Sequence, residues 1–322
     1  MNFDITSPMV ALVLALLALL RAATPILYAA LGGLLSELGG KINVALEGLM
    51  LVAAFTAVIA TIFPPPGLPP ALLPWWGCAA GLLAALLLAA VLAVLHLECD
   101  ADLIVAGIAL NLLAAGLTVF LLAELAGDKG STARFATPAL PSLRIADLSA
   151  WPLLDLLLNG EAGRGHHVLL LGAPVLALCG WLFLGHTRPG AWLRAVGENP
   201  EAARAAGIPL RRMHYLALLG SGLLAGLGGV YLSMGYLTLF QADMTAGRGF
   251  LALAAVFVGR RSLAGVCAAA VLFGAAGVFA TRLGCLDLPP QVLAMLPPVI
   301  TITALALSGW RRRCRRRSTD DS

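Results

Sequence analysis

Ala84-Ala85-Leu86-Leu87-Leu88-Ala89-Ala90-Val91-Leu92-Ala93-Val94 contains no charge, no proline and no alternation of polar with apolar residues. A strand of a transmembrane barrel needs a period of two over about ten residues, so this stretch is not one. It is the middle of an apolar run over 73–97. As a helix rising about 1.5 Å per residue, that run is long enough to cross a hydrocarbon core of about 30 Å. Backbone N–H and C=O groups find no water in lipid, and a helix satisfies them within the segment.

Runs of the same kind recur outward from it in both directions. Nine spans are expected, at 9–35, 43–63, 73–97, 101–124, 167–185, 213–236, 246–260, 262–282 and 289–309, with eight and ten also compatible. The fold class is therefore an all-α, polytopic transmembrane helical bundle, a single domain over 1–322. The first span is long for one straight crossing; Pro25 should kink it, and Arg21 within it needs a polar neighbour. The seventh is short and entered through Gly247 and Gly249, and so reads as a broken or half helix near 246–260. Composition agrees, with 60% hydrophobic and 12% charged residues and a mean hydropathy of +0.92. A soluble domain carries about 25% charged residues.

Charge sets the expected orientation. The segment 186–212 carries Arg188, Arg194, Arg204, Arg211 and Arg212, and six of the 21 basic residues fall within Arg311–Arg313 and Arg315–Arg317. Both belong in the cytoplasm by the positive-inside rule, which makes 310–322 a basic cytoplasmic tail rather than a nucleic-acid-binding arm. Counting spans backwards places the Pro-rich 64–74 and the loop 125–166 on the extracytoplasmic side, with the N-terminus. Glu98, Asp100 and Asp102 then mark a cytoplasmic turn without a basic residue.

Nothing in the chain carries catalysis. Gly127-Asp128-Lys129-Gly130-Ser131-Thr132 lacks the Gly-Lys pair of a phosphate-binding loop, and Gly220-Ser221-Gly222-Leu223-Leu224-Ala225 matches a dinucleotide pattern without a preceding strand. Gly222 and Gly226, continued by Gly229 and Ser233, read instead as a small-residue stripe for close helix packing. The six cysteines and five histidines form no metal spacing and no nucleophile–base pair, so no cofactor, metal or catalytic residue is assigned.

Polar residues inside spans say more, because each is costly in lipid unless it faces the bundle interior. Asn43 and Glu47 are four apart on one helix face, Asn111 lies mid-span, and Asp243, Thr245 and Arg248 cluster before the short seventh span. Interhelical hydrogen bonding and a polar solute path are the two readings of this set. Arg194 to Leu210 is the most informative loop. Asn199 suits an N-cap, Pro200 the first turn, Glu201 the positive end and Gly207 the stop of a two-turn helix. A helix so short is marginal alone, so a partner surface is expected to hold it.

Three stretches resemble the ABC-transporter permeases that serve simple sugars, nucleosides and branched-chain amino acids. They are Ala29–Glu37 followed by Asn43–Met50; Gly197-Glu198-Asn199-Pro200-Glu201-Ala202-Ala203 with Gly207; and Met244-Thr245-Ala246-Gly247-Arg248-Gly249-Phe250. The likeness runs over about residues 10–310, and its motif forms are most similar to the nucleoside branch served by basic membrane lipoproteins. Gly259-Arg260-Arg261-Ser262 departs from it, since relatives more often carry an aromatic and a proline there. The resemblance implies a non-enzymatic importer subunit in the bacterial inner membrane. It also implies a second permease, with a heterodimer expected, two ATPase subunits and an extracytoplasmic solute-binding lipoprotein. Alternating access would be driven through 186–212, with Arg194, Glu198, Asn199, Glu201, Ala202, Ala203 and Gly207 at the ATPase contact. The solute path would draw on Asn43, Glu47, Asn111, Thr245, Arg248 and Phe250. A ribose-type permease and, more distantly, a secondary transporter are the alternatives.

Overall fold

Runs of leucine and alanine with no polar break leave the backbone one way to satisfy itself, and in the computed structural model each of the first eight expected spans, those within the described residues, coincides with a helix. The structure describes residues 8–144, 155–156, 159–160 and 165–283; the expected ninth span, Cys285, Cys314 and the basic tail lie outside them. The helices are α1 (Pro8–Leu38), α2 (Leu46–Ile62), α3 (Leu73–Leu97), α4 (Leu103–Ala126), α5 (Val168–His186), α6 (Arg188–Glu198), α7 (Pro200–Ala205), α8 (Leu210–Val230), α9 (Arg248–Val258) and α10 (Leu263–Leu283). Among the described residues six apolar helices are long enough to cross a membrane, and α2 and α9 are shorter apolar helices of 17 and 11 residues. Ser142–Leu143 pairs antiparallel with His166–His167 in a small two-stranded sheet.

The centre of the bundle is α1, α2 and α8, with α3 and α10 packed around them. Leu46, Leu49, Met50, Ala225 and Phe273 are buried there, whereas α4 turns Val105, Leu112 and Phe120 outward as an apolar face suited to lipid. α1 is one continuous helix with Pro25 inside it. Proline has no N–H to offer the carbonyl four residues back, and the freed Arg21 carbonyl accepts from the Tyr231 hydroxyl at 3.4 Å. α8 continues into a single π-helical turn, Tyr231–Tyr236.

The chain gathers its connections into two ends. At one, Arg211 bonds Glu98, with its Nε at 3.0 Å, and the Tyr215 hydroxyl donates to the same carboxyl at 2.7 Å. Those two bonds hold the Glu98 carboxyl below the usual carboxylate range. The acidic turn and the basic loop 186–212 are thus on one side, so the turn needs no basic residue of its own. Glu37 and Arg261 meet at the same end, 3.2 Å apart. Both Arg260 and Arg261 are left-handed there (φ 55° and 60°), so the departure from the family pattern is a strained turn held by an ion pair. At the other end, Thr132 and Phe240 exchange hydrogen bonds of 2.9 Å, joining the segment after α4 to the one after α8.

The glycine stripe on α8 works by contact. A methyl at Gly222 would collide with Ala89, at Gly226 it would stand 2.7 Å from the Ala85 side chain, and at Gly229 it would strike the Met50 backbone. Gly229→Ala should therefore force α8 off α2 and lower the thermal stability of the detergent-solubilised protein. Gly116→Ala, where nothing lies within 4 Å, should leave it unchanged or raise it by up to ~1 kcal/mol through helix propensity. Equal melting of the two variants would contradict this packing.

Candidate functional site

A helix that starts inside an apolar bundle has N–H groups with no intrahelical partner. Two such starts meet here. α2 runs back along α1, with Leu46 beside Gly33 and Met50 beside Gly228, which itself touches Pro25 and Tyr28. α9 runs the opposite way, from Gly249 against Glu47 to Val256 against Gly33, and on to the Arg261–Glu37 pair. The two helix N-termini face one another, and the Glu47 side chain lies between them.

Its two oxygens have separate tasks. Oε1 accepts from the Gly247 N–H at 2.8 Å and Oε2 from the Gly249 N–H at 2.6 Å. A negative group at the positive end of a helix is favourable, and α2 and α9 present two such ends to one carboxylate. Gly249 lets the backbones touch, since a Cβ there would stand 2.5 Å from the Glu47 nitrogen. Gly247 supplies the left-handed turn (φ 78°) that delivers its N–H. Asp243 and Ala246 are also left-handed, so the chain reaches α9 through a tight, strained coil.

The neighbouring polar side chains complete the junction. Asn43 accepts from the Ala45 N–H and donates to the Ser221 hydroxyl, each at 2.9 Å. Asn111 accepts from the Gly48 N–H at 2.7 Å and donates to the Val44 carbonyl at 2.9 Å. Of the two readings open from the sequence, interhelical bonding fits Asn43 and Asn111. Thr245 is fully buried with its hydroxyl unpartnered, and Phe250 is half exposed on the outer face of α9.

Arg248 points to something else. Its Nη1 donates to the Met244 and Thr245 carbonyls at 2.9 and 3.1 Å, which fixes the guanidinium. The side chain lines a cleft of about 330 Å³ between α1, α9 and α10, together with Arg21, Tyr236 and Phe273. A pocket of that size suits a small solute. Sequence reasoning noted that Arg21 needs a polar neighbour; that Arg248 and Tyr236 would share its cleft had no signal in spacing. Among the described residues no three His, Cys, Asp or Glu side chains gather as a metal site.

The remaining expected residues sit at the basic end. Asn199 caps α7 by accepting from the Ala202 N–H at 3.0 Å, and Gly207 ends it with φ 77°. Glu198, Glu201, Ala202, Arg204 and Arg194 are exposed. Ala203 is buried against Leu193, Val196, Met213 and Ala217 of its own chain, so it seats α7. So short a helix has to bury something to be held in place, and Ala203 is on its inner side.

Residues 15–305 match the family described as branched-chain amino acid transport system / permease component. The guanosine ABC transporter permease protein NupQ of Bacillus subtilis is 35% identical, over 91% of this chain and 90% of its own. The nucleoside ABC transporter permease protein NupC of Lactococcus lactis is 32% identical, over 88% and 89%. Among solved structures, PsaBC from Streptococcus pneumoniae in complex with Fab matches with a TM-score of 0.50 at 14% identity, covering 89% of each chain, a likeness of fold.

Asn111→Leu, which keeps the branching of the side chain but removes both hydrogen-bonding groups, would strand the Gly48 N–H and the Val44 carbonyl. Stability should fall by about 2–6 kcal/mol, at roughly 1–3 kcal/mol for each orphaned buried group, as read from thermal or denaturant unfolding in detergent. Transport per folded molecule should be kept. Unchanged stability with altered solute affinity would return Asn111 to the solute path.

Proposed function

Because the chain belongs to the permease family of branched-chain amino acid transport systems, we propose that the solute it carries within an ATP-binding cassette importer is a nucleoside. The observation that carries this reading is the pair of nucleoside-type relatives, each aligned over about nine-tenths of both chains. The cleft beside Arg248 supports it, being small, partly polar and open at the start of a half helix. Half-helix N-termini at the middle of a membrane are where transporters commonly hold polar solutes.

In this reading the permease pairs with a second one, a heterodimer by preference, in the bacterial inner membrane. An extracytoplasmic lipoprotein delivers the solute, and two ATPase subunits dock on the basic end formed by 186–212. The outward-facing residues of that end are those a docking groove would meet: Arg194, Glu198, Glu201, Ala202 and Arg204. Asn199, Ala203 and Gly207 shape α7 from behind. ATP-driven closure of the ATPases would push α7, and through the contact of Gly197 with Leu38 and Gly40 would reach the end of α1, whose other half walls the cleft. Alternating access then needs no chemistry on the solute.

The test is uptake by the complete importer in proteoliposomes, with its binding protein outside and ATP inside. Labelled nucleosides should accumulate and free ribose should not; accumulation of ribose alone would overturn the solute assignment. In the same assembly Ala202→Glu, exposed and harmless to an unpartnered helix, should cut binding-protein-stimulated ATPase by roughly tenfold or more, because it buries an unpaired charge in the docking groove. Stimulation equal to the unaltered importer would remove α7 from the ATPase contact.

A further inference from the structure

Arg21 is a cation inside a span that no carboxylate pairs with among the described residues. It lies in the middle of α1, lines the 330 Å³ cleft, and has no side-chain hydrogen bond or ion pair among the described residues. Its neighbours Ala18, Ala22 and Ile26 are apolar, and across the cleft stand Tyr236, Arg248 and Phe273. No lining side chain is a carboxylate or an amide. The cleft therefore offers donors, two guanidiniums and a phenol hydroxyl, and almost no side-chain acceptor. A guanidinium in an apolar span without an acceptor is costly, so whatever enters is expected to bring acceptors.

We propose that Arg21, with Arg248 and Tyr236, forms a subsite that selects oxopurine bases over 6-aminopurines; this rests on the nucleoside reading above. The reasoning is one of matching edges. An oxopurine presents a carbonyl oxygen and a ring nitrogen side by side, two acceptors that the planar fork of a guanidinium meets together. A 6-aminopurine puts a donor in place of the oxygen and faces the arginine donor to donor. Glutamine makes the opposite match, pairing with the amino group and the ring nitrogen. Arg248 is anchored by the Met244 and Thr245 carbonyls, so Arg21, which nothing anchors, is the group free to turn onto the base. The cleft gives a flat ring room, because Gly277 on α10 presents bare backbone with nothing within 4 Å of where a Cβ would stand. A neutral base also suits the charge. The Glu47 carboxyl, bonded to the N–H groups on either side of Arg248, offsets one of the two cations.

The test uses the complete importer in proteoliposomes with one binding protein throughout, so that any change in selectivity comes from the permease. Uptake of guanosine and inosine is measured in competition with adenosine. For Arg21→Gln the ratio of oxopurine to aminopurine uptake should shift toward adenosine by about tenfold or more, the size of one bidentate pair lost or gained. Arg21→Lys keeps the charge and should insert normally, yet it loses the fork, and the ratio should fall severalfold. A ratio unchanged in both variants overturns the subsite while leaving nucleoside transport standing. A nucleoside 5′-phosphate that competes better than its nucleoside would make the arginines an anion site and overturn it too. Should the unaltered importer take up no nucleoside, the reading beneath the proposal fails first, and the proposal with it.

Discussion

One carboxylate joins two helices that begin inside the bundle. A helix start leaves N–H groups without partners, and lipid or an apolar core supplies none, so a chain that breaks a helix there has to bring its own acceptor. Glu47 brings two, one for Gly247 and one for Gly249. Asn43 and Asn111 do the same for the start of α2. Without these groups α9 would have to start at the membrane surface, and the coil of 242–247 would not turn into the bundle. The cleft exists because α9 starts where it does, since Ala246, Arg248 and Leu251 form one of its walls.

The same junction explains why two separated motifs travel together. Asn43 to Met50 and Met244 to Phe250 lie about two hundred residues apart, yet Glu47 of the first bonds Gly247 and Gly249 of the second. Glycine is required at 249 by contact with the Glu47 backbone and at 247 by its backbone angle. α9 then carries the junction to the basic end, where Arg261 holds Glu37 and Gly40 rests on Gly197. In the proposed importer that line of contacts, from α7 through the ends of α1 and α9 to the cleft, is the route by which nucleotide-driven movement reaches the solute.

How far the sequence could be read depended on whether a feature is local. Apolar length placed every helix among the described residues that could cross a membrane, and marked α9 as a half helix from two glycines and its shortness. Residue type also placed α7 with its cap and stop, because capping is settled within four residues. The Arg211–Glu98 bond, the union of Glu47 with the 247–249 turn and the sharing of a cleft by Arg21 and Arg248 are long-range facts. No periodicity encodes them. The burial of Ala203 was missed for a related reason. An alanine-rich helix of two turns has no apolar stripe strong enough to show which side faces its own chain.

The claim that a carboxylate on α2 holds the start of α9 inside the bundle is most directly tested by hydrogen–deuterium exchange on the lipid-embedded importer, resolved to the peptide spanning 244–251. With Glu47 present, the Gly247 and Gly249 amides should exchange slowly. In Glu47→Ala they should exchange faster by a factor of about ten or more, as expected when a charge-assisted hydrogen bond worth roughly 1.5–3 kcal/mol is lost, while peptides from α3 and α4 stay as they were. Equal protection of the two glycine amides with and without the carboxylate would contradict the account.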